Sequence, residues 1–112
     1  MMLYKIFRRD EWAALRAAKT SPGAPVDIAD GYVHLSTPDQ APETAARHFA
    51  GEDGLMLLGI EADRLGDELK WEPSRGGALF PHLYRDLRLS DVAWAQPLPL
   101  LDGLHQFPSG AA

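Results

Sequence analysis

Leu55 to Glu61 reads LMLLGIE, an almost unbroken apolar run that follows the turn residues Gly51 to Gly54. A run this short has strand length. Successive strand side chains point to opposite sides, so a strand that is apolar at every position must bury both faces. It therefore belongs at the centre of a sheet. That demand sits in a chain of 112 residues, 46% hydrophobic and 24% charged, with no cysteine. Such a length buries roughly 65% of the unfolded surface and supports one core, with no room for two independent domains. The expected unit is a single domain over residues 1–112, compact over about 2–100, with a terminal tail over 101–112.

Without sulfur there is no disulfide framework, thiolate metal cluster or cysteine nucleophile, which suits a reducing compartment. The opening MMLYKIFRRDEW has too few apolar residues for a signal peptide. No run approaches the ~18 apolar residues of a membrane span. The expected location is the cytoplasm, without a membrane partner. Eleven Lys and Arg against sixteen Asp and Glu give a net charge of -5. That is the wrong sign for a phosphate-backbone binder, so nucleic acid is not an expected partner.

Leu3 to Phe7 reads as a first strand, and Asp10 as the cap of a helix over EWAALRAAK with Trp12 and Leu15 facing the sheet. TSPGAP breaks regularity. GYVHLS, Gly31 to Ser36, alternates: Val33 and Leu35 share an apolar face, while Tyr32, His34 and Ser36 share the other. Thr37, Pro38 and Gln40 have the spacing of a helix start, with Pro42 placing a short turn before a second helix at roughly 43–50. Leu69 to Glu72 alternates again, with Lys70 and Glu72 opposite Leu69 and Trp71. Ala78 to Arg85 reads as a strand that Pro81 assigns to an edge. Val92 to Leu98 supplies the last strand. About six short strands and two helices describe an α+β domain.

Four histidines are scattered without ligand spacing, so no metal site is expected. There is no G-x-S-x-G elbow, and Ser36 near His34 is a weak substitute. Gly76 and Gly77 form neither a Walker loop nor a dinucleotide fingerprint. The informative feature is three polar strand rows: Tyr32, His34 and Ser36; Lys70 and Glu72; His82 and Tyr84. A solvated sheet face explains any one of them alone. Imidazole, carboxylate and phenol together have the composition of a site. Arg75, in the loop PSRGG, has the chemistry to receive an anion. Trp12, Trp71 and Trp94 are assigned to the core.

Through GYVHLSTPDQ with ARHFAG, and LKWEPSRGGALFPHLY, the sequence resembles a bacterial family known as domain of unknown function 952, from LYKIF to AWAQPLPL. The resemblance implies an ADP-ribosyltransferase-like architecture: a small, split, mixed sheet, helices outside, and a cleft between the halves. It also implies NAD as a cofactor to test. In that reading His34 and Glu72 are catalytic, His34 orienting a ribose and Glu72 stabilising developing positive charge. Lys5, Tyr32, Ser36, Thr37, Arg75, His82 and Tyr84 bind the ligand, with Lys5 or Arg75 on pyrophosphate. The first strand departs from that fold family, reading LYKIF where histidine, glycine and threonine are usual, and there is no Gln-x-Glu or Glu-x-Glu. Shared architecture does not confer activity. The expected function is a cleft that binds a nucleotide-like or phosphorylated small molecule, with ADP-ribosyltransferase-related NAD chemistry as its enzymatic form. The rival is a non-catalytic binding or protein-interaction module whose polar strand residues are structural.

Overall fold

The computed structural model describes residues 1–108, with the side chain of Arg75 excepted. Its strands are β1 (Met2–Phe7), β2 (Thr20–Ser21), β3 (Val33–His34), β4 (Leu55–Glu61), β5 (Leu69–Pro73), β6 (Leu79–Leu83), β7 (Leu87–Arg88), β8 (Val92–Leu98), β9 (Leu100–Leu101) and β10 (Leu104–His105). The helices are α1 (Arg9–Ala18), α2 (Pro25–Asp30) and α3 (Ala41–His48). None is long and apolar enough to cross a membrane. The α+β class is as expected. The short pairs β2–β7 and β9–β10 raise the strand count above the expected six, and α2 is a third helix.

Two three-stranded sheets organise the chain, in the orders β1-β4-β8 and β3-β6-β5. The expected mixed sheet is not formed: every pairing among the described residues is antiparallel.

As its apolar run requires, β4 lies between β1 and β8. Leu58 and Ile60 enter one core with Leu3, Phe7, Leu15, Val33, Leu35, Leu65, Leu83 and Leu87. Leu55 and Leu57 enter a second with Tyr4, Ile6, Ala41, Ala45, Phe49 and Leu98. Gly59 leaves space that the Trp94 indole fills, and a Cβ there would run into that ring. The register shifts beside this contact, where Gly59 pairs with Trp94 and Ile60 with Val92, so Ala93 is the extra residue of a bulge.

Three local expectations change. Helix α1 starts one residue before Asp10, and Glu11 accepts from the Arg8 amide at 2.7 Å in its first turn. Helix α3 spans Ala41–His48, starting two residues before the expected 43, and buries Ala41 and Ala45. Trp71 is 40% exposed rather than core, on β5 at the edge of its sheet. Trp12 and Trp94 are half-buried against the two cores.

Pro81 gives the clearest correction, since β6 is the central strand of its sheet and not an edge. The Leu35 amide donates to the Pro81 carbonyl at 3.0 Å, so the peptide group of Pro81 faces β3. An antiparallel hydrogen-bonded pair exchanges two bonds, and proline supplies no N–H for the second. The β3–β6 ladder therefore ends at His34–His82, while β5–β6 pairing continues through Trp71–Pro81 undisturbed. The freed chain crosses to β1, where Tyr4 and Ser36 exchange both backbone bonds at 2.7 and 2.9 Å. That single bridge joins the two sheets.

Two substitutions test this packing by chemical denaturation. Gly59→Ala should cost about 1–3 kcal/mol, because the Trp94 ring must move. The Tyr4 hydroxyl is buried without a hydrogen-bond partner among the described residues. Tyr4→Phe should therefore leave stability unchanged or raise it by up to about 1 kcal/mol, and a clear loss would mean the hydroxyl is paired.

Candidate functional site

Pro25 and Asp27 occupy the first and third positions of α2, where a missing N–H costs nothing and a carboxylate can reach back to the helix start. Asp27 Oδ2 accepts from the Ala24 amide at 2.7 Å and from Lys5 Nζ at 2.8 Å. Its Oδ1 accepts from the His34 amide at 2.9 Å and lies 2.6 Å from His34 Nδ1. Burial alone would raise the pKa of this carboxyl. The donors from His34 and the Lys5 ammonium outweigh it and hold the value down at about 2. Burial likewise pushes the Lys5 ammonium below its ordinary value, and Asp27 offsets part of that.

From His34 an aromatic and imidazole cluster extends across β3, β6 and β5. The Tyr32 ring stacks on His82 at 4.1 Å between centroids and lies 4.6 Å from His34 and 5.1 Å from Tyr84. Glu72 Oε1 accepts from Tyr84 Oη at 2.7 Å and lies 2.8 Å from His82 Nδ1. The Tyr84 bond, then the His82 contact, lower the Glu72 pKa, and the same Tyr84 bond pushes the phenol up to about 12. Burial, then the neighbouring carboxylates, raise Tyr32.

Beside this cluster, along the edge of β1, is a cavity of about 720 Å³. Its wall includes Lys5, Ile6, Arg8, His34, Leu35 and Ser36, with Arg47, His48 and Phe49 from the end of α3 and Phe80 and His82 from β6. Tyr4 turns its peptide group outward to Ser36. Strand periodicity therefore turns the peptide group of Ile6, two residues on, outward as well, toward the cavity. Among the described residues, no group of three or more histidines and carboxylates is arranged to hold a metal ion.

The family model described as "Protein of unknown function (DUF952)" matches residues 6–95. The chain belongs to the DUF952 family. A crystal structure of protein CC0527 from Caulobacter crescentus superposes with a TM-score of 0.91 at 51% identity, covering 95% of this chain and 94% of that one. The solution NMR structure of CC0527 gives a TM-score of 0.84 at 52% identity, covering 94% and 91%. No curated protein matches this chain.

Within the DUF952 domain, the expected site residues separate. Tyr32, His34, Glu72, His82 and Tyr84 converge as one cluster. The expected catalytic pair does not touch: His34 is held by Asp27 and Asp30, and Glu72 by His82 and Tyr84. Glu72 is also absent from the cavity wall, where His82 stands. Lys5 is on the wall, but its ammonium is committed to Asp27 and to the His34 carbonyl at 2.9 Å. Ser36 is buried on the wall, its hydroxyl 3.1 Å from that of Thr44. Thr37 caps a turn with Gln40 through bonds of 3.1 and 3.2 Å, which is a structural role. The side chain of Arg75 lies outside the described residues.

Sequence reasoning missed Asp27, although Pro at the first helical position and an acid at the third were a readable helix start. Arg8 lies on the wall with its guanidinium 4.8 Å from the Phe49 ring centre, tied to Glu52 at 2.9 and 3.0 Å. Nothing local in the sequence marks that pairing.

The low pKa of Asp27 has a stability consequence. The native value lies below the ordinary 3.8, so Asp27 contributes stability that is complete above about pH 4 and is lost as the pH falls toward 2. About 2 kcal/mol should disappear over that window. Carbon-detected NMR of the Asp27 carboxyl should show a midpoint near 2. A midpoint near 4 would contradict the bonding described above.

Proposed function

We propose that the cavity binds a nucleotide-like or phosphorylated small molecule. The observation carrying this reading is the character of its wall. In a chain of net charge -5, Lys5, Arg8, Arg47 and three histidines face the space against one acid, Asp30, among the described residues. Phe49, Phe80 and Ile6 add flat and apolar surface, which suits a ring. The volume of about 720 Å³ falls in the range of small-molecule sites.

Within this reading His82 is the central contact. It is 4% exposed, and Glu72 engages its Nδ1, which leaves Nε2 as the ring nitrogen for a ligand. Glu72 acts as a positioning residue for that ring. A relation to the ADP-ribosyltransferase architecture, and with it NAD as ligand, belongs to this proposal: the split between two sheets and the cleft beside His34 support it. The second reading, a structural role for the polar rows, is favoured at two positions. Lys5 is bonded to Asp27 and to the His34 carbonyl, and Thr37 to Gln40, and these bonds hold the fold.

Titration with NAD and with ADP-ribose, followed by amide chemical shifts, tests the proposal. Shifts should move at Ile6, His34, Phe80 and His82 at millimolar ligand or below. His82→Ala should weaken binding at least about tenfold, the scale of one hydrogen bond to a charged group. Shifts that stay still throughout would remove the ligand class and favour the non-catalytic module.

A further inference from the structure

We infer that Asp30 lowers the affinity of the cavity for anions by occupying, on Nε2 of His34, the position that an anionic group of the ligand takes. This rests on the ligand class proposed above. The argument starts with the ring itself. Asp27 holds His34 from behind, through Nδ1 at 2.6 Å and through the backbone amide at 2.9 Å, so the ring orientation is fixed. Nε2 lies on the opposite side of the ring, and Asp30 Oδ2 lies 2.9 Å from it. Both His34 and Asp30 are on the cavity wall.

The two carboxylates differ in what holds them. Asp27 has a fully buried side chain and accepts from three elements. Asp30 is the last residue of the six-residue helix α2, its side chain is 46% exposed, and His34 is its one ion-pair partner among the described residues. A contact of that kind is cheap to exchange.

The other cations of the wall are answered from elsewhere. Lys5 is paired with Asp27, Arg8 with Glu52 and Glu11, and Arg47 with Glu43, and none of these four acids lines the cavity. His34 Nε2, by contrast, is answered by Asp30, which itself stands in the ligand space. A phosphate or carboxylate oxygen arriving there replaces one acceptor by another, with no donor left unpaired. A neutral acceptor replaces the hydrogen bond but not the negative charge. Asp30 thus weakens every anion by the same competition and admits those whose remaining contacts outweigh it.

The test compares wild type, Asp30→Asn, Asp39→Asn and the double variant Asp30→Asn with His34→Gln, titrating ADP-ribose and, separately, inorganic phosphate. Asp39 is an exposed acid that does not line the cavity, so it measures the general effect of removing a negative charge. Asp30→Asn should bind roughly fivefold more tightly than wild type, the scale of one partly exposed ion pair. Asp39→Asn should bind as wild type, and the gain should vanish in the double variant. Binding seen only in Asp30→Asn also supports the inference. A gain matched by Asp39→Asn, or one that survives His34→Gln, overturns it. Wild type that binds while Asp30→Asn binds no better removes the role of Asp30 alone. Failure of both proteins to bind either probe at millimolar concentration removes the ligand class, and this inference with it.

Discussion

The buried carboxylate of Asp27 is the interaction on which the arrangement depends. It closes the start of α2, receives the only lysine of β1, and fixes His34 by ring and by backbone. An isolated charge in that place would be costly, and an ion pair there is tolerated because the carboxylate oxygens are answered from several sides. Its reach across three elements also explains Gly23, whose φ is 100° and whose absent side chain leaves room for the Asp27 carboxylate. Lysine in an otherwise apolar strand is the other half of the same device.

How much of this was legible in the sequence depended on the range of the signal. LMLLGIE specified a central strand because two-sided burial is written into consecutive residues. The alternation in GYVHLS and LKWEP assigned Tyr32, His34 and Glu72 to one sheet face, and the structure brings them together with His82 and Tyr84. Which polar group meets which was not legible. Glu72 pairs with His82, ten residues away, instead of His34, because strand register decides it, and register is set by pairing across the sheet. Pro81 misled for a related reason. Its lack of a donor is local, but whether that lack faces solvent or a neighbouring strand is a matter of tertiary context.

Charge in this protein is distributed against its average. An acidic chain places six basic or imidazole side chains around one cavity and pairs Lys5, Arg8 and Arg47 with acids that do not line it. Such an arrangement holds long side chains in place before any ligand arrives, which lowers the ordering cost of recognition. It also moderates the field, since each cation is already partly answered. Recognition then depends on geometry more than on bulk attraction.

The missing donor at Pro81 has a wider consequence for the shape of the molecule. Any other residue at that position would offer an N–H toward Leu35 and add a rung to the ladder, drawing the chain along β6 instead of releasing it. Proline here works by omission: one absent N–H closes the ladder at the point where the chain leaves β6 for Tyr4, beside the hollow.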